Sequence, residues 1–150
     1  MANSEPLENL CNKLLAEGRA LLKLETGIVS HIKDNEYHVV AISSNTDAFQ
    51  VGEVFPLEST YCRDVYAKAV TLALTEIDGV PGLQLHPLYD VLPLETYIST
   101  PILVEGEIWG TLNFSGMRRR EAPFNDQDVE WIIASARRIS RHLINDHKTT

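Results

Sequence analysis

The sequence predicts an α+β fold built on a central antiparallel sheet. Three observations carry this expectation. Apolar residues recur with a helical period at both ends of the chain, β-branched runs lie between those ends, and two strand pairs are joined by two-residue turns. With 150 residues, 44% hydrophobic and 23% charged, the chain suits one domain, 1–150, with a core of its own.

The first helix is written in Leu7, Leu10, Cys11, Leu14, Leu15, Leu21 and Leu22, with Glu8, Lys13 and Glu17 between them. Ser4 is its expected N-cap, Glu5 and Glu8 suit the first turn, and Gly27 follows the helix. Strands over Ile28–Lys33 and Glu36–Ser43 flank the hairpin signal Asp34-Asn35. A polar stretch from Ser44 to Asp47 leads into an extended Gly52–Leu57. Ser59 or Thr60 would cap a short helix, Tyr61–Lys68, which needs packing to be stable. A strand over Val70–Thr75, a turn at Asp78–Gly82 and a second short helix from His86-Pro87 to about Val91 follow.

The strongest strand pair is Thr96–Val104 with Glu107–Phe114 around Glu105-Gly106. Alternation along its second strand puts Trp109, Thr111 and Asn113 on one face and Leu112 and Phe114 on the other. After a basic loop, Met117–Arg120, the last helix starts near Asn125 or Asp126, where Asn125 and Asp128 resemble a capping box. Val129, Ile132, Ile133, Ala136, Ile139, Leu143 and Ile144 form its apolar stripe. Arg137, Arg138 and Arg141 stand off or beside that stripe near the C-terminal end, where cations suit the dipole.

Composition narrows the function classes. A net charge of −8 repels nucleic acid and anionic membranes, and no apolar run approaches the ~18 residues that span a bilayer. The N-terminus lacks a basic n-region and an apolar h-region. Cys11 and Cys62 are too few for a disulfide framework and spell no metal motif. The expectation is a reduced, cytoplasmic protein that binds neither nucleic acid nor membrane. No Ser–His–Asp arrangement, metal motif or phosphate loop supports an enzyme.

Five segments together resemble one known module. The run from Phe55 to Val65 (Phe-Pro-Leu-Glu-Ser-Thr-Tyr-Cys-Arg-Asp-Val) resembles the start of the second helix in bacterial GAF domains. His86-Pro87-Leu88-Tyr89, Tyr97–Ile102 and Gly110–Ser115 resemble later parts of that module, and Pro123–Asp128 its approach to the last helix. The similarity runs from about Leu7 to Leu143. It implies a sheet with the terminal helices on one face and, on the other, short helices and loops that close over a small-molecule pocket. It also implies a sensor that biases an output such as a histidine kinase of a two-component system or a cyclic-dinucleotide enzyme. The chain has no room for such an output and carries no ATP-site motif, P-loop or GGDEF run, so the partner is expected in cis or in trans.

Within that frame, Thr111 and Asn113 face away from the terminal helices, Tyr97 and Ser99 share one face of the neighbouring strand, and Tyr61, Cys62, His86 and Tyr89 come from the elements above. A buried amide such as Asn113 must find a partner in protein, water or ligand. Cys62, in the first turn of its helix, would have a lowered thiol pKa from the N–H groups and a raised one from Glu58 and Asp64; the alternative is a small buried hydrophobe. Methionine-sulfoxide reduction, known in some relatives, needs a dithiol partner that Cys11 on the first helix does not offer. No cysteine stands near His86, which argues against a covalent bilin; noncovalent haem or tetrapyrrole ligation by His86 stays open. The cyclic-nucleotide signature is reduced to Phe124–Asp128, with Val129 where it has a Glu.

The expected function is therefore small-molecule sensing, the ligand unknown, relayed through the terminal helices. Leu15, Leu22 and Ile144 are expected to exceed what one sheet face buries, which favours a homodimer through a helical bundle. The alternatives are a structural homodimerisation module without a ligand and a noncovalent haem or tetrapyrrole binder.

Overall fold

A computed structural model describes residues 6–44, 50–56, 71–74, 96–116 and 123–149. Helix α1 (Leu7–Leu22) precedes strands β1 (Thr26–Lys33), β2 (Glu36–Ser44), β3 (Val54–Pro56), β4 (Leu72–Leu74), β5 (Thr96–Val104) and β6 (Glu107–Gly116), and helix α2 (Asp126–Thr149) closes the chain. The strands form one antiparallel sheet in the order β3-β2-β1-β6-β5-β4. This is the predicted α+β class.

Both hairpins turn as their residues require. Asp34 and Asn35 have φ of 55° and 61°, and Glu105 and Gly106 have 53° and 84°. Positive φ at both central positions matches the right-handed twist of the flanking strands. At the start of α2 the capping box is complete: Asn125 N donates to Asp128 Oδ2 at 3.1 Å and Asp128 N to Asn125 Oδ1 at 2.8 Å.

The ends of α1 differ from expectation. Ser4 lies outside the described residues, and the N-cap position is Pro6, which makes no side-chain cap but accepts a bond from Leu10 N. The helix stops at Lys23, which takes the left-handed conformation itself and donates to Arg19 O. Gly27 follows the helix, as expected, but beyond its cap. It lies inside β1, where a Cβ would stand 2.6 Å from the Phe114 ring.

Both helices cover one face of the sheet, α1 over β1 and β2, α2 along β5, and they touch each other. Leu10, Leu14, Leu15, Leu22, Ile132 and Ile139 meet Val29, Ile98, Leu112 and Phe114 there. Phe114 anchors this layer between Gly18, Gly27 and Trp131, whose ring centroid lies 5.8 Å from its own. Burying it contributes roughly 1.5–3 kcal/mol.

Two expectations about packing are corrected. Leu15 and Leu22 are fully buried in this layer, so they are no surplus for a helical bundle; the large apolar residue of α1 left in water is Leu21, 48% exposed. Trp109 does not share the face of Thr111 and Asn113: it packs against the helix-side core and stacks on His31 at 4.4 Å. Alternation fails at Trp109 itself: Ile102 pairs with Gly110 but Leu103 with Ile108, so Trp109 is an extra residue in β6. The short helices expected over Tyr61–Lys68 and His86–Val91, the turn at Asp78–Gly82 and the basic loop lie outside the described residues.

Candidate functional site

The sheet face away from the helices is as deeply buried as the face beneath them. Cross-strand register puts Ile28 opposite Asn113 and Asn113 opposite Ser99, with Ser30 opposite Thr111 one step along. Ser30, Ser99 and Thr111 are fully buried, and Tyr37, Tyr97, Asn113 and Ser115 nearly so.

A hydrogen-bonded network crosses three strands on this face. Asn113 Nδ2 donates to Tyr37 Oη at 3.0 Å and to Thr111 Oγ1 at 3.3 Å. Thr111 Oγ1 and Ser30 Oγ are 2.8 Å apart, and Thr111 N donates to Ser30 Oγ at 3.2 Å. The amide nitrogen thus commits both of its hydrogens within the protein. Ser99 differs: its Oγ is buried and has no hydrogen-bond partner. An unsatisfied buried hydroxyl costs about 1–3 kcal/mol, so such a group calls for an acceptor or donor from elsewhere.

Four of the predicted site residues, Tyr97, Ser99, Thr111 and Asn113, are thus brought onto one buried face. Tyr61, Cys62, His86 and Tyr89 lie outside the described residues. Sequence reading missed Tyr37 and Ser30. Their signal was legible: each is a hydroxyl-bearing residue at an inward position of a strand otherwise rich in Ile and Val.

Near Gly110, side chains supplement the backbone ladder. His31 Nδ1 bonds to Trp109 O at 2.7 Å; a carbonyl only accepts, so Nδ1 carries the proton. Among the described residues, no group of three or more His, Cys, Asp or Glu side chains stands close enough to hold a metal ion.

Cys11 belongs to the opposite, helix-side layer, and burial pushes its thiol up to about 11. Its folded pKa lies above the unfolded value of 9.0, so the neutral thiol's contribution to stability is complete below pH 9. That contribution is lost as pH rises through about 11. In a Cys62→Ser background, iodoacetamide at pH 8 is expected to leave Cys11 unmodified until denaturant is added. Rapid labelling of the folded chain would contradict its burial.

A family model described as GAF domain matches residues 6–143. Among curated proteins, no sequence matches the chain significantly. Of the solved structures, a phycocyanobilin-bound GAF domain from a cyanobacterial phytochrome is 18% identical, with a TM-score of 0.79 over 97% of this chain and 88% of its own. Residues 122 to 287 of a methyl-accepting chemotaxis protein are 20% identical, with a TM-score of 0.76 over 93% and 89%. The Thermosynechococcus elongatus PixJ GAF-domain in its blue-light absorbing form is 20% identical, with a TM-score of 0.69 over 95% and 90%. With the match spanning nearly its whole length, this chain belongs to the GAF domain family.

Proposed function

We propose that this GAF domain senses a small molecule on the sheet face opposite the helices and relays its binding through α1 and α2 to an output domain. A histidine kinase or cyclic-dinucleotide enzyme, in cis or in trans, is the output this reading favours. The observation that carries it is the Ser99 hydroxyl, buried without a partner beside a network whose other hydroxyls and amide are bonded to one another. Ser99, Thr111 and Asn113 with Tyr97 and Tyr37 form the floor, and Tyr61, Cys62, His86 and Tyr89 complete the site. The floor offers neutral hydroxyl and amide groups, so it reads its ligand by hydrogen bonds rather than by ion pairs. The role is regulatory, not catalytic. Binding shifts the domain between two states by as much as the ligand's affinities for them differ. Leu21 and the half-buried Ile144 are the apolar groups available to a homodimer through the terminal helices.

Native mass spectrometry of freshly purified protein tests this first. The expected result is a dimer with a reproducible extra mass that is lost on denaturation. A clean apo dimer would instead favour a structural dimerisation module, and a bare monomer at micromolar concentration would remove the helical-bundle proposal. Ser99→Ala sharpens the test. The apo protein should be unchanged or up to about 1 kcal/mol more stable, because an unsatisfied buried hydroxyl is removed, while the bound mass is lost. Equal ligand retention by the variant would count against a role for Ser99.

A second reading is a noncovalent tetrapyrrole held with His86, favoured by the likeness to a phycocyanobilin-bound domain. Cys11 is unfit to anchor a bilin on the floor, because it is buried in the helix-side layer with a raised pKa. A visible absorption band that co-purifies and extracts into organic solvent would support this reading. Colourless protein that takes up no added haem or biliverdin would exclude it.

A further inference from the structure

We infer that a groove between α2 and β5, on the helix side of the sheet, is a second binding site for a compact carboxylate with an apolar body. It is a cavity of about 190 Å³, smaller than the ~300 Å³ at which drug-sized pockets begin. It lies on the opposite side of the sheet from the sensing floor, and the inference does not depend on that floor.

The groove's walls divide cleanly by chemistry. Pro101 and Leu103 of β5 and Ile133 and Ala136 of α2 supply its apolar lining. Leu103 is 44% exposed, one of the few large apolar side chains left in water among the described residues, so covering it releases a hydrophobic driving force. The hydroxyls in the lining are already engaged. Thr71 and Thr100 bond to each other at 2.8 Å, and Ser140 Oγ donates to the Leu103 carbonyl.

Recognition of a negative charge therefore falls to Arg137. That residue is exposed, lines the groove and, among the described residues, has no carboxylate within ion-pair distance. Five N–H donors in a planar fork match a carboxylate through two parallel bonds. Charge along the helix agrees. The stretch Trp131–Ile144 carries Arg137, Arg138 and Arg141 and no acidic residue, in a chain whose net charge is −8. An anion repelled by most of the molecule meets a local cationic field here. An occupant would bridge α2 to β5 and so stiffen the contact between the last helix and the sheet.

Hexanoate is the probe, titrated into the full chain labelled with ¹⁵N, with hexan-1-ol and acetate as separate arms. Hexanoate should give saturable shifts at Leu103, Ile133, Arg137 and Ser140, with a Kd on the order of 1 mM. Each of the other two probes should bind about tenfold more weakly, because each lacks one half of the recognition. Arg137→Gln should weaken hexanoate about tenfold and erase its advantage over hexanol, whereas Arg138→Gln, outside the groove, should not. Equal binding of hexanoate and hexanol, or an unchanged Kd in Arg137→Gln, would overturn the carboxylate assignment. Equal binding of acetate would overturn the apolar half, and no saturable response by roughly 20 mM would overturn the site.

Discussion

Gly110→Ala is expected to destabilise the protein by about 3 kcal/mol or more, the upper range for forcing atoms into a packed interior. A Cβ at this position would lie 1.8 Å from the carbonyl oxygen of Ser30. That oxygen belongs to the backbone of the paired strand, so no rotamer change relieves the contact. Relief requires β1 and β6 to separate at the point where Ser30 and Thr111 share their hydroxyl bond and His31 reaches Trp109 O. The same substitution at Gly106 makes a control. That residue has φ of 84° in an open hairpin turn with nothing within 4 Å of a Cβ, so only backbone strain of about 1–2 kcal/mol is expected. Urea unfolding separates the two: the Gly110→Ala midpoint should fall by roughly 1 M or more, about twice the fall for Gly106→Ala. Equal shifts would mean that β1 and β6 approach less closely than described.

Asn113→Leu should have the largest effect on binding. Leucine keeps the branched heavy-atom outline of asparagine and adds volume rather than leaving a cavity, so what the change removes is hydrogen bonding. Tyr37 Oη and Thr111 Oγ1 would each lose the amide as donor, at a cost of about 2 kcal/mol in total. The three-strand network that sets the floor would be cut at its centre, and a ligand read by that floor should be lost from the native mass spectrum. A purely structural dimerisation module behaves differently: the variant melts slightly earlier, dimerises as before and has no bound mass to lose. Ser99→Ala guards the comparison, because it removes a floor group without breaking any bond the protein makes to itself.

The two terminal helices, both hairpins and the capping box at Asn125 were legible in the sequence because each depends on neighbours within a few residues. A helical stripe, two consecutive residues able to take positive φ, or a reciprocal pair three apart carries its own instruction. The resemblance to GAF domains added the two-faced sheet, and strand parity placed Tyr97, Ser99, Thr111 and Asn113 together on one face. What only the tertiary structure decided lies across strands and between layers. Trp109 left its expected face because the pairing of β5 with β6 skips it, and Gly27 proved to lie within β1 against the Phe114 ring. Leu15 and Leu22 went under the helices instead of toward a partner, while Leu21 beside them stayed in water. The pairing of polar groups was the least predictable. Tyr37 and Asn113 stand 76 residues apart, and only the register of β2, β1 and β6 brings them within bonding distance, leaving Ser99, among the described residues, as the buried hydroxyl without a partner. Local sequence determined which elements form; long-range register, to which bulges and glycine contacts contribute, determined which side chains meet.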